Sequence, residues 1–435
     1  MNESASANTA QQATSSVTVY GMPAHEYRAQ AVGEVHARPH LLIKSPRTLL
    51  QFAFMTGGDL SRDDAAMAEL SSRLGVPQPD NTSALHGMTW DQGQLHCEKH
   101  AEFSTYLWSA PLDLSTKENP FTQGFVPPGP VITGIRVDIL PWSAESERHI
   151  ADFDPVSLCY SLVENGNAAI ITDFRQDKSG LTHILILDRA LTEARLGALA
   201  QRLIELENYR TLALLALPLT RSTALDLRRI EDRLAEITDE MRSRARRDNE
   251  VLLAELTNLA AELEAEAAAN LYRFGASQAY YEIVEERLSA LSESAVSGCY
   301  TWRDFLQRRI APAMRTCRSV KERQSKLSDK LTRAISLLRS WIDVGLERQN
   351  SDFLASMDNR ARLQLRLQQT VEGLSVAAIS YYVVNLLSDL LKGIPGIHDV
   401  AAPEVVTAAL VPFVILAIWW TVRSIRHSHS DTKPD

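Results

Sequence analysis

Cysteine is scarce in this 435-residue sequence: Cys97, Cys159, Cys299 and Cys317 are the only four, and no two form a C-x-x-C pair. That spacing supplies neither a disulfide framework nor a cysteine-based zinc site, so reduced thiols are expected. A basic excess is missing as well. Lys and Arg number 45 against 54 Asp and Glu, and the net charge of −9 argues against a general nucleic-acid binder. No G-x-x-x-x-G-K-[ST] occurs, nor a G-x-G-x-x-G after a strand, which removes the common phosphate-cradling loops. A G-x-S-x-G nucleophile elbow and an H-E-x-x-H zinc helix are absent too. The expectation is a protein that is not an enzyme and has no resident cofactor. The opening stretch M-N-E-S-A-S-A-N-T-A-Q-Q-A-T-S-S lacks a basic segment leading into an apolar one, so no secretory signal is expected. Residues 1–16, poor in bulky apolar side chains, should be disordered.

What is present in quantity is apolar sequence near the C-terminus. Glu404 and Arg423 bracket eighteen uncharged residues, V-V-T-A-A-L-V-P-F-V-I-L-A-I-W-W-T-V. As a helix these reach roughly 27 Å, close to the hydrocarbon thickness of a bilayer. A second uncharged run, Gly373 to Ser388, precedes it and is more polar, as suits a span partly hidden from lipid. Between them K-G-I-P-G-I-H-D-V-A-A-P-E contains two glycines and two prolines, which stop one helix and start the next. Arg360, Arg362 and Arg366 lie before the pair and Arg423, Arg426 and Lys433 after it, whereas the turn offers Lys392 against Asp389, Asp399 and Glu404. The positive-inside rule then places both chain ends in the cytoplasm.

The expected organisation is an α+β domain at 17–189 with a mostly antiparallel sheet and a helical, coiled-coil stalk at 190–370. Transmembrane helices at 371–391 and 404–422 follow, joined by an outer turn at 392–403, with a cytoplasmic tail at 423–435. In the first domain T-L-L-Q-F-A-F-M-T reads as a buried strand, and Asp59 or Ser61 caps a helix running to Leu74, where Gly75 ends it. D-Q-G at Asp91–Gly93 and Asn165-Gly166 are turn signals between strand-like runs, and V-I-T-G-I-R-V-D-I-L-P-W and T-H-I-L-I-L-D are further strands. After Asp188 strand signals cease. Leu227, Ile230, Leu234, Ile237 and Met241 fall on steps of three and four, as do Leu252, Leu256, Leu259 and Leu263. Val320, Leu327, Leu331, Ala334, Leu338 and Ile342 continue the stepping beyond a break at Gly298, and such a helix needs partners for its seam.

Two histidine groups are the candidate ligand-binding residues. In G-E-V-H-A-R-P-H an extended chain would put Glu34, His36, Arg38 and His40 on one face. In H-C-E-K-H-A-E-F, His96, Glu98, His100 and Glu102 alternate in the same way, a set able to bind a divalent cation or an anionic ligand. The alternative is a half-exposed strand whose polar residues bond to backbone and water. In the first apolar run Ser375, Ala378, Tyr382, Asn385 and Asp389 share one helical stripe. Polar groups inside a membrane must face protein or water, so this stripe either packs on the second span or lines a path through a ring of copies.

Two resemblances bear on these residues. E-V-H-A-R-P at Glu34–Pro39, K-H-A-E-F-S-T-Y at Lys99–Tyr106 and V-E-G-L-S-V-A-A-I-S-Y-Y-V-V at Val371–Val384 resemble a bacterial family of membrane-anchored proteins, the domain of unknown function numbered 3422, over nearly all of the chain. That family implies no particular activity. The order of parts, a cytoplasmic α/β domain, a long stalk and two C-terminal spans, is similar to the CorA and ZntB divalent-cation transporters, though K-G-I-P-G at Lys392–Gly396 stands where their G-M-N signature would lie. That resemblance implies a homo-oligomeric ring, pentameric in those transporters, in the bacterial inner membrane. Ser375, Tyr382, Asn385 and Asp389 would line its pore, and Asp399 and Glu404 would attract divalent cations at the outer mouth. The competing expectation is a membrane-tethered binding or scaffold protein holding its ligand near Glu34, His36, His100 and Glu102. A metal-dependent hydrolase rests on the histidines alone.

Overall fold

The computed structural model describes residues 18–20, 22–25, 27–28, 31–32, 41–78, 85–112, 119–122, 124–243, 249–392 and 403–430. The chain divides into two compact units, Met1–Ala245 with Ala254–Ala334 and Arg246–Leu253 with Ile335–Asp435.

The first unit is built on a nine-stranded sheet. Its strands are β1 (Arg47–Met55), β2 (Leu85–Trp90), β3 (Gly93–Lys99), β4 (Phe103–Ala110), β5 (Val131–Pro141), β6 (Cys159–Val163), β7 (Ala168–Gln176), β8 (Thr182–Asp188) and β9 (Ser294–Ala295). Their spatial order is β9-β6-β7-β8-β5-β1-β4-β3-β2. Every neighbouring pair is antiparallel except β8 on β5, which is parallel with Ile184 opposite Val137. The turn signals lie where the sequence puts them. Asp91 has φ 50° between β2 and β3, and Asn165 and Gly166, at φ 57° and 83°, turn β6 into β7. Between β1 and β2, α1 (Leu60–Leu74) starts at Asp59, whose carboxylate accepts from the Ser61 N–H at 3.2 Å, and stops at a left-handed Gly75. The short edge strand β9 corrects the expectation that strands end at Asp188. Two residues carry too little alternation to be read, and only pairing with Leu162 and Ser161 makes them a strand.

Period-two alternation sends the strand residues to two cores. On one face Ile135, Val137 and Ile139 of β5, with Ile170, Ile184 and Ile186, pack against α2 (Glu193–Leu214), the C-terminal part of α4 (Asn249–Ala290) and the start of α5 (Trp302–Lys392). On the other face Phe54, Cys97, Tyr106 and Trp108 lie under α1 through Met67 and Leu70. Leu140, Ile171, Leu185 and Phe153 fill that same face toward β7. Leu215 separates α2 from α3 (Ala216–Ser243), so the helix read as running to Pro218 ends four residues earlier, at Leu214, and Pro218 sits in the first turn of the next, where a missing N–H costs nothing. Leu227, Ile230, Leu234 and Ile237 of α3, Leu256 and Leu263 of α4, and Leu327 and Leu331 of α5 are all buried. Ion pairs flank these seams, among them Arg233 to Glu255 and Arg323 Nε to Glu231 at 2.9 Å.

In the second unit α5 continues from Ile335 and α6 (Pro403–Ser430) follows. Large apolar side chains here are exposed: Leu346, Phe353, Leu365, Leu374, Leu390, Phe413 and Leu416. One helix among the described residues is long and apolar enough to cross a membrane by length and composition. It is α5, whose most apolar eighteen-residue window has a mean hydropathy of 1.3 and is 6% buried. In α6 the apolar stretch is the shorter Ala408–Thr421. The structure therefore shows an N-terminal sheet domain followed by long helices, with one helix of spanning character where two were expected.

Candidate functional site

The site grows out of the alternation of β3. Leu95 and Cys97 point to the α1 face and are fully buried, which turns His96 and Glu98 to the α2 face. There a cavity of about 90 Å³ lies between the sheet and α2. Its sheet wall includes Leu49 and Gln51 of β1, Thr105 and Leu107 of β4, and the His96 and Glu98 side chains. Its helix wall is Gln201, Ile204, Glu205 and Asn208, one stripe of α2 at steps of three and four. Leu41 and Ile43 close one side. Gly197 is required there, since a Cβ would lie 1.6 Å from the Leu41 carbonyl oxygen.

The polar groups are fixed in different degrees. Asn208 Nδ2 donates to Gln51 Oε1 at 3.1 Å, and the Thr133 hydroxyl donates to Asn208 Oδ1, so these amides are held by each other. Glu205 accepts from Gln201 Nε2 at 2.9 Å and from Arg287 Nε at 2.7 Å. The His100 ring stacks on Phe103 with centroids 4.2 Å apart, and its Nε2 is 3.7 Å from Glu98 Oε1. The Nε2 of His96 is buried without a hydrogen-bond partner among the described residues, and burial pushes the pKa of this imidazole below its ordinary 6.5. At neutral pH the ring is uncharged and offers one donor and one acceptor nitrogen.

Of the four residues read from H-C-E-K-H-A-E-F, three line the cavity and the fourth does not. The strand ends at Lys99, a turn brings the His100 N–H to the Phe103 carbonyl at 2.9 Å, and Glu102 is carried out of the alternation. Glu102 is 3% exposed and receives both Arg273 nitrogens, at 3.2 and 2.6 Å, and the Tyr280 hydroxyl at 2.6 Å. It clamps the β3–β4 turn to α4, and all its charge is spent on that clamp. Glu34, His36, Arg38 and His40 lie outside the described residues, as does Asp399. Glu404 is in the first turn of α6. Ser375, Tyr382, Asn385 and Asp389 are all exposed along α5, with the Ser375 hydroxyl donating to the Val371 carbonyl at 2.9 Å. Among the described residues no group of three His, Cys, Asp or Glu side chains could hold a metal ion.

Sequence reasoning missed the helix wall. Gln201, Glu205 and Asn208 look like the solvated face of an amphipathic helix, and only the sheet beneath them shows otherwise. It also missed a polar knot on the α1 face. There Asp138 accepts from Thr48 at 2.8 Å, from Arg136 at 3.1 Å and from His183 at 2.8 Å. Burial alone would push this carboxyl up, but the His183 hydrogen bond and the Arg136 charge hold it below its ordinary value.

Fold and cavity together define a class: an α+β protein with a small internal site in its sheet domain, followed by long helices with exposed apolar side chains. The chain belongs to the family described as Protein of unknown function (DUF3422), whose model matches residues 23–429. No curated protein and no solved structure matches the chain.

Proposed function

We propose that the protein is a membrane-tethered binding protein: its sheet domain holds a small ligand in the cavity of His96, Glu98 and His100, and its C-terminal helices anchor it in the bilayer. The observation that carries this reading is the buried His96 Nε2, left without a partner among the described residues beside a cavity, since such a group is costly unless a ligand or water completes it. The tether is supported by the exposed apolar surface of α5 and α6, with Leu374 at 75% and Phe413 at 72% exposure, which water disfavours and lipid accepts. In this reading the helices form the two-span hairpin of residues 371–391 and 404–422 in a bacterial inner membrane, with both termini cytoplasmic. Labels placed at Ile397 and Asp435 test the topology: they should react from opposite sides of the membrane, and reaction from one side removes the hairpin.

One observation favours a second reading, the CorA-like passage of divalent cations through a homo-oligomer. The polar stripe of Ser375, Tyr382, Asn385 and Asp389 is exposed in the single chain, as a stripe facing an axis between copies would be. Asn385→Leu and Asp389→Ala should then abolish divalent-ion flux into vesicles. Equal flux in parent and variants, or none in the parent, leaves the tether alone.

A further inference from the structure

We propose that the cavity between the sheet and α2 takes a small neutral carbonyl compound with short apolar groups, and that it rejects ions of either sign. This rests on the reading of the sheet domain as a binding domain. Charge makes the first distinction. The two carboxylates that line the cavity already have partners: Glu205 accepts from Gln201 at 2.9 Å and from Arg287 at 2.7 Å, and Glu98 Oε1 lies 3.7 Å from His100 Nε2. An ammonium would have to displace one of these groups. An anion would meet both carboxylates and, among the described lining residues, no Lys or Arg.

The hydrogen bonds within the wall decide the polar end of the ligand. The Thr133 hydroxyl donates to Asn208 Oδ1 and Asn208 Nδ2 donates to Gln51 Oε1, so both amide oxygens are taken. What this pair has left to offer is N–H, on Gln51 Nε2 and on the second hydrogen of Asn208 Nδ2. Gln51 and Asn208 are 5% and 4% exposed, and a buried donor is costly until an acceptor meets it. The uncharged ring of His96 can carry its proton on Nε2, the nitrogen that has no partner among the described residues. A carbonyl oxygen has two lone pairs for such donors and brings no charge into the cavity. Leu41, Leu49, Leu107 and Ile204 provide apolar surface for a few methyl or methylene groups. About 90 Å³ is well under the roughly 300 to 1,000 Å³ of clefts that take drug-sized molecules, which limits the ligand to a handful of heavy atoms.

The test uses the full chain in detergent and three probes that share one branched skeleton of heavy atoms: 2-butanone, propionate and sec-butylammonium, a neutral carbonyl, an anion and a cation. Ligand-observed NMR reads the binding, and the cavity-filling variants Leu107→Trp and Ile204→Phe, one from each wall, serve as blanks for uptake by the detergent. The expected result is saturable binding of 2-butanone that both blanks lose, with the two ions at least about tenfold weaker. Gln51→Leu and His96→Leu each remove a donor and should each weaken 2-butanone about tenfold. Binding of 2-butanone unchanged in both variants overturns the proposal. Propionate or sec-butylammonium binding as tightly as 2-butanone, in a manner the blanks lose, overturns the preference for a neutral ligand while leaving the binding domain standing. Saturable binding of none of the three overturns both.

Discussion

The sheet domain and the 341–371 stretch of α5 carry apolar side chains in comparable supply but dispose of them in opposite ways. Leu95, Tyr106 and Trp108 are between 0% and 2% exposed, whereas Leu346, Phe353 and Leu367 are 54%, 65% and 70% exposed. In the sheet most apolar stripes meet another within the same unit, so side chains such as Leu95, Tyr106 and Trp108 are buried, and most of the polar groups inside, such as Asp138, Asn208 and Glu102, are paired one by one. Along α5 the stripe has no such partner among the described residues. The first region largely covers its own apolar side chains, whereas those of the second are left uncovered among the described residues.

The largest effect expected from breaking the closed side is at its buried ion pair. Arg273→Ala would leave the Glu102 carboxylate, 3% exposed, without its counter-charge, and such a loss costs about 3 to 5 kcal/mol. Denaturant unfolding of the sheet domain reads this directly. The double variant Glu102→Leu with Arg273→Met should recover most of the loss, because a pair removed together leaves no orphaned charge. If the single variant costs under about 1 kcal/mol, the clamp is looser than its geometry.

A second break is through pH. Burial pushes Glu293 up to about 7, although the Arg303 N–H bonds its Oε2 at 3.2 Å at the entry to α5. The folded chain therefore holds this proton at pH values where the unfolded chain, with a carboxyl near 4.5, has released it. Stability is unpenalised below the unfolded value and falls as pH rises from there to about 7, by about 3 kcal/mol in all. Glu293→Gln should flatten that slope, as measured by unfolding midpoints between pH 4.5 and 8. An unchanged slope would assign the pH dependence to other groups.

The open side breaks by a different measurement. Leu416→Arg puts a charge on an exposed position of α6, where the single chain has nothing to lose, so the unfolding of the sheet domain should not move. Retention in membranes should drop by about 3 kcal/mol if α6 lies in lipid, read as loss of the protein from the membrane pellet after alkaline washing. Full retention would take α6 out of the bilayer.

How far the sequence could be read differs between the two sides for the same physical reason. Strand alternation in T-L-L-Q-F-A-F-M-T and the Asn165-Gly166 turn are local signals, and they placed β1 and the β6–β7 hairpin. Asp59 and Gly75 likewise bounded α1 through bonds made within a few residues of each. His96, Glu98 and His100 were legible as one group because alternation alone aligns them. Glu102 was misplaced since its role depends on Arg273, 171 residues away, and no local pattern encodes that partner. The helix wall at Gln201, Glu205 and Asn208 was invisible for the same reason. Along α5 and α6 the sequence shows the apolar stretches plainly, but nothing among the described residues covers them.

The smallest expected effect sharpens the comparison most. Leu346, Phe353, Met357, Leu367 and Val371 follow one another along α5 at steps of seven, four, ten and four, the intervals of a heptad seam, and all are more than half exposed. In an isolated chain Phe353→Gln removes no intramolecular contact of consequence, so unfolding of the sheet domain should change by less than about 0.5 kcal/mol. A seam of this kind is nevertheless what a second copy of the same helix would cover, and in a homo-oligomer the glutamine would sit in the contact. Sedimentation of parent and variant in detergent separates the cases: a fall in oligomer size with unfolding unmoved means that copies of the chain close α5 on each other. Equal sedimentation would leave that stripe to a partner other than itself.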